Sequence, residues 1–186
     1  TPLYGIRLSQ KLLAEHTCSD FTSRYGRTLG IREPHEFGYF WRWVLGYADL
    51  QEPANDHEQQ VDWDRLRTIL VNMTHEFAAP MVFKSFLVGW HIQRLQRLLP
   101  LTRFLRVHRD PLESAVSLCG MRRQLGEPAA TWTSLKPREY SWLKDEPLTR
   151  QLAGQVYFLD QRLTKQLSGI PTENVLEISY TELCAN

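Results

Sequence analysis

The sequence predicts an α/β domain with parallel strands, and three observations point there. Short β-like runs at residues 81–83 (MVF), 103–107 (RFLRV) and 175–180 (VLEISY) alternate with segments of helical periodicity. Strand, helix, strand, helix is the order that parallel pairing requires, because each parallel neighbour is reached through a crossover. The connection at residues 98–102, with Pro100 inside it, is short enough to turn a helix directly into the next strand.

Each element rests on its own residues. Phe37, Tyr39, Phe40, Trp41, Trp43 and Tyr47 crowd about three turns of helix, so part of them is core and the rest is available to line an apolar acceptor pocket. Residues 51–60 (QEPANDHEQQ) are the most polar connection and the expected mobile loop. Trp63, Leu66, Ile69, Leu70, Met73 and Phe77 mark a helix that ends before Pro80, whose ring and missing N–H do not fit a helix interior. Val88, Ile92, Leu95 and Leu99 form a second helical stripe, and Leu148, Leu152, Val156, Leu159 and Leu163 a longer one. Arg103 and Arg106 are out of keeping with a central parallel strand, which is nearly all apolar. Trp132, Tyr140 and Trp142 fall in a loop-like region placed to act as a lid.

The stretch HRDPLESAVS, residues 108–117, is the most informative. Asp110 suits an N-cap, Pro111 the first helical position, and Glu113 completes a capping-box spacing. Leu112, Ala115, Val116 and Cys119 then make the expected buried face of this helix, with Ser114 and Ser117 on another side. Arg109 ends the preceding strand at the carboxyl edge of the sheet, where open α/β folds bind their ligands. A phosphate held by its guanidinium has a further donor in the Ser117 hydroxyl, two turns on. The plainer alternative pairs Arg109 with a carboxylate and leaves Ser117 to solvent.

Bulk properties set the limits. With 186 residues, 42% hydrophobic and 11% aromatic, the chain suits one globular domain with a true core. A net charge of +1 gives no bulk case for nucleic acid or an anionic membrane, so any affinity for anions is local. Cys18, Cys119 and Cys184 have neither disulfide-framework nor zinc spacing, which favours a reducing, cytoplasmic setting. No apolar run reaches the ~18 to 20 residues of a spanning helix, and His16, His57 and His75 are too scattered for a metal site. His91 and His108 are read as structural or solvated. A start at Thr1 and a stop just after a strand-like run lead us to expect one domain over 1–186 that is incomplete at both ends.

HRDPLESAVS resembles the 3′-phosphate-binding segment of the sulfotransferase superfamily, in which a strand-end arginine and a serine eight residues later hold the 3′-phosphate of 3′-phosphoadenosine 5′-phosphosulfate (PAPS). Two flanking stretches support the likeness. VFKS…LLP at 82–100 is similar to that family's strand ending in Lys-Ser with its following helix, and EISYTEL at 177–183 resembles a later strand, with Thr181 in place of the usual Glu. The resemblance is closer to bacterial and tyrosylprotein-type members than to the cytosolic steroid and phenol enzymes, since Lys84 is followed by Ser85 and Phe86 rather than by the Lys-x-His ending.

The resemblance implies a three-layer α/β fold with a parallel central sheet and P-loop-like nucleotide-binding topology. It also implies a bacterial cytoplasmic sulfotransferase using PAPS, no metal, and a small-molecule or peptide hydroxyl acceptor, without nucleic acid or a membrane span. Arg109 and Ser117 would hold the 3′-phosphate, and Tyr180 would contact adenine. Lys84 would neutralise the transferring sulfuryl group, with Glu36 as the first candidate base and Glu33 as the second. The family's Gly-rich 5′-phosphosulfate loop has no counterpart in YGIRLSQ at 4–10 or RYGRTLG at 24–30, so the first strand and that loop are expected to lie upstream of Thr1. Two other readings share the layout: a P-loop-type kinase or nucleoside triphosphatase, which needs Mg²⁺ and a Gly-Lys-Ser/Thr loop, and an inactive sulfotransferase-like binding protein.

Overall fold

The computed structural model describes residues 37–124 and 131–185, with the backbone alone of two short strands before them. Those strands, β1 (Ser23–Arg24) and β2 (Arg27–Thr28), pair antiparallel. Next come α1 (Gly38–Val44), α2 (His57–Gln60) and α3 (Trp63–Phe77). A 3₁₀ turn at Leu87–Trp90 leads into α4 (Ile92–Leu98), β3 (Phe104–His108) and α5 (Pro111–Gln124). The chain continues through α6 (Tyr140–Leu143), α7 (Leu148–Leu167), β4 (Val175–Ser179) and α8 (Tyr180–Ala185). Helices and a parallel two-stranded sheet of β3 and β4 thus make a mixed α/β arrangement among the described residues.

Helix α3 forms as its periodicity predicts. Asp62 caps it by accepting a hydrogen bond from the Arg65 backbone N–H at 2.9 Å, and Trp63, Leu66, Leu70 and Met73 point inward. It stops at Ala78, which adopts a left-handed conformation at φ 49°, two residues before Pro80. From the aromatic stretch Trp41 and Tyr47 enter the core, Phe37 and Phe40 pack against it, and Tyr39 and Trp43 stay exposed. The Arg65 guanidinium lies 4.6 Å from the Trp43 ring centre, which gives that exposed ring a cationic partner.

Residues 81–83 are not a strand. Val82 is 92% exposed, whereas Phe83 turns inward, its ring edge-on to Trp41 at 5.3 Å between centroids. Three residues with one side chain claimed by the core pair with no neighbouring strand among the described residues. The expected stripe from Val88 to Leu99 also divides, into the 3₁₀ turn and α4. His91 sits at the joint with φ −127°, and its buried ring is fixed by distant partners. The loop at 51–60, expected to be mobile, is anchored. Glu52 is buried and its Oε1 accepts from Arg138 Nε at 2.9 Å and from Arg162 Nε at 2.8 Å, while residues 57–60 form α2.

In the sheet, Leu105 lies opposite Leu176, Arg106 opposite Glu177 and Val107 opposite Ile178. Alternation puts Arg106 on the α7 side, where its Nη2 donates to Asp160 Oδ1 at 2.6 Å and to Thr164 Oγ1 at 3.2 Å; its Nη1 donates to Glu177 Oε1 at 3.3 Å. These partners resolve the oddity of a charge in the strand. Leu105, Val107 and Leu176, on the other face, are exposed. Compared with the sequence reading, β3 starts and ends one residue later, and the last strand stops at Ser179 so that Tyr180 opens α8. Ser179 and Glu182 form a reciprocal capping box: Glu182 N–H donates to Ser179 Oγ at 3.1 Å and Ser179 N–H to Glu182 Oε2 at 3.0 Å.

Helix α5 starts where predicted but turns differently. Leu112 is 73% exposed and Val116 64% exposed, so the expected apolar face is not the buried one. Arg122, with no exposed surface, is its deepest side chain, because α5 docks on α7 through polar groups. Nη1 of Arg122 donates to Gln151 Oε1 and Nη2 to Gln155 Oε1, each at 2.9 Å, and the Trp132 ring covers the guanidinium at 4.9 Å. Gln155 Nε2 in turn donates to the carbonyls of Thr133 and Leu135 at 2.9 and 2.8 Å, which fastens the segment before α6 onto α7. Trp132 and Tyr140, read as lid aromatics, pack edge to face in this assembly.

Candidate functional site

Arg109 lies one residue past the end of β3, immediately before the N-cap of α5. Asp110 Oδ1 accepts from the backbone N–H groups of Leu112 at 2.8 Å and Glu113 at 3.1 Å, so the cap forms as its residue type predicts. Glu113 does not complete the box. Its Oε2 instead accepts from Arg109 Nε at 2.9 Å, the i, i+4 contact that one helical turn allows. The two side chains are 35% and 55% exposed, and this carboxylate raises the Arg109 pKa above its ordinary value.

The Tyr180 ring supports the guanidinium from the other strand. Arg109 Cζ stands 4.7 Å from the Tyr180 ring centre, a cation–π contact between the ends of two parallel strands. The Tyr180 phenol pKa is raised, chiefly by Cys184 one turn on. Nη1 and Nη2 of Arg109 have no hydrogen-bond partner among the described residues. The guanidinium is thus fixed along Nε and across one face while its outer edge remains available to an oxyanion.

Ser117 is half-buried and stands four residues after Glu113, so these two follow one stripe of α5, with Arg109 just ahead of the helix and joined to that stripe through Glu113. Of the predicted site residues, Arg109 and Tyr180 meet directly, and Ser117 lies on α5 eight residues after Arg109. Lys84 is exposed in the irregular segment before the 3₁₀ turn, its Nζ 5.2 Å from the Phe86 ring centre. Glu33 and Glu36 lie outside the described residues. Arg109 thus pairs with a carboxylate, as the plainer of the two sequence readings expects.

A second polar cluster escaped the sequence reading. His91, 1% exposed, contacts Glu58 Oε1 through Nδ1 at 3.1 Å and the Tyr47 hydroxyl through Nε2 at 2.7 Å. An ionised carboxylate only accepts, so Nδ1 carries the proton, and Nε2 of the neutral ring accepts from the tyrosine O–H. Burial lowers the His91 pKa and raises that of Tyr47. His57 lies parallel to His91 at 6.1 Å between ring centres, and its own Nε2 meets the Leu45 carbonyl at 2.8 Å. Among the described residues, no group of three or more His, Cys, Asp or Glu side chains is arranged to hold a metal, and no helix is long and apolar enough to cross a membrane. No family model matches the chain, and neither a curated protein nor a solved structure does.

Proposed function

We propose that the protein is a sulfotransferase that moves a sulfuryl group from PAPS to a hydroxyl of an organic acceptor. The observation that carries this reading is the placement of Arg109 on the Tyr180 ring at the carboxyl ends of adjacent parallel strands, with Nη1 and Nη2 unpaired among the described residues. A guanidinium in that setting suits a phosphate monoester, and Ser117 on α5 offers a hydroxyl donor to it. In this reading the sheet belongs to a three-layer, P-loop-like fold. Tyr180 supports Arg109 as well as, or in place of, contacting adenine.

The chemistry is an in-line displacement. The acceptor oxygen forms a bond to sulfur as the bond from sulfur to the bridging phosphate oxygen breaks, and adenosine 3′,5′-bisphosphate leaves. Glu36, or in its place Glu33, takes the acceptor proton, and Lys84 offsets negative charge on the transferring group.

Calorimetric titration with adenosine 3′,5′-bisphosphate tests the assignment. Arg109→Ala should abolish measurable binding, and Ser117→Ala should weaken it less, because a neutral hydrogen bond contributes ~0.5 to 1.5 kcal/mol and a charged one ~1.5 to 3. Equal binding by wild type and Arg109→Ala would count against the site. Binding that requires Mg²⁺ would favour the kinase or nucleoside triphosphatase reading, and binding with no transfer of labelled sulfate to any acceptor would favour a non-catalytic relative.

A further inference from the structure

We infer that Glu113 acts as an internal competitor for Arg109, setting how tightly the site holds a phosphate monoester; this rests on the reading of Arg109 as a phosphate ligand. The carboxylate contacts Nε of the same guanidinium whose outer edge would receive the ligand, at 2.9 Å and only four residues along the chain. It lies on the α5 stripe between Arg109 and Ser117, so an anion bridging those two groups comes to rest beside it.

Two consequences follow from charge and geometry. The ion pair neutralises Arg109 before any ligand arrives, and a dianion bound at the outer edge is repelled by Glu113 across a partly solvated gap. Glu113 is more than half exposed, so its side chain has open solvent into which it can turn once a ligand engages Arg109. A glutamine at this position keeps an oxygen to accept from Nε and removes the charge, which separates orientation from repulsion.

Full-length wild type, Glu113→Gln and Arg109→Ala, each checked for native circular dichroism, are titrated with adenosine 3′,5′-bisphosphate at several salt concentrations. Glu113→Gln is expected to bind about fivefold tighter than wild type at low ionic strength, with the advantage shrinking as salt screens the repulsion. Binding by Glu113→Gln but not by wild type also supports the inference. Wild-type binding that is lost in Arg109→Ala, yet equal or weaker in Glu113→Gln, overturns it and leaves the functional reading standing. Absence of binding in both wild type and Glu113→Gln overturns the functional reading and this inference with it.

Discussion

At the pH where a solvated imidazole is half protonated, about 6.5, His91 is still held neutral in the fold by burial, against the opposing pull of Glu58. Because its folded pKa is depressed, the unfolded chain takes up the proton first as pH falls. Stability associated with His91 is therefore complete above about 6.5 and is lost as pH drops through that value towards the folded pKa. The groups around the ring are Tyr47, Glu58 and His57, with the Trp63 indole edge-on. We expect the urea midpoint to fall between pH 7.5 and 5.5, and to fall less in His91→Gln; an identical fall in both proteins would exclude His91 as the source. Asp49, whose carboxyl is lowered chiefly by its hydrogen bond from Lys136, and Glu182, lowered by Ser179, act at more acid pH, below about 4. The Arg109–Glu113 contact is a local i, i+4 pair, yet the capping-box spacing assigned Glu113 to the helix start instead. The sequence did not reveal the His91 cluster, whose members stand 33 and 44 positions from the histidine.

Among elements, the start of α5 is the clearest test of local coding. Asp110 satisfies two otherwise unpaired N–H groups, so Asp110→Ala should lower stability by ~1 kcal/mol, readable as a shifted urea midpoint at constant slope. No change would mean that the cap is replaced by solvent at no cost. Helix α3 was legible from its apolar spacing and from Pro80 beyond its end, which act within one segment. The orientation of α5 was not, because periodicity fixes only relative positions on a helix. Which side is buried was settled by Arg122, which reaches two glutamines on α7 and so turns Leu112 and Val116 outward. The 81–83 run failed for a related reason: β propensity makes a strand only where a partner strand lies alongside it.

Across the molecule, Glu52 joins three distant pieces of chain. Its carboxylate receives Arg138 ahead of α6 and Arg162 on α7, and its own N–H donates to the Lys136 carbonyl at 2.7 Å. Taking the charge away with Glu52→Gln leaves two guanidinium groups sharing a neutral amide oxygen in place of a carboxylate. We expect a loss of ~2 to 3 kcal/mol, below the range for a wholly buried pair because both arginines keep some solvent. Denaturation in urea measures it, and a change under ~0.5 kcal/mol, the scale of an ordinary surface substitution, would assign the cross-link no role in holding the fold. The parallel pairing of β3 with β4 across intervening helices was readable from the succession of elements, although the run at 81–83 adds no strand to it. The cross-link was not readable, since an acidic residue in a polar loop gives no sign of the arginines that will enclose it.

The pairing of β3 with β4 also governs when Arg109 and Tyr180 meet. Arg106 and its cross-strand partner Glu177 are 71 positions apart, and the interval between Arg109 and its aromatic support is of the same order. A ribosome adding ~5 to 20 residues per second needs roughly 4 to 14 s to cover that interval, and a pairing of such long range is slow to close. Of the two contacts that hold the Arg109 guanidinium, the local one to Glu113 needs no second strand, whereas the one to Tyr180 waits for it.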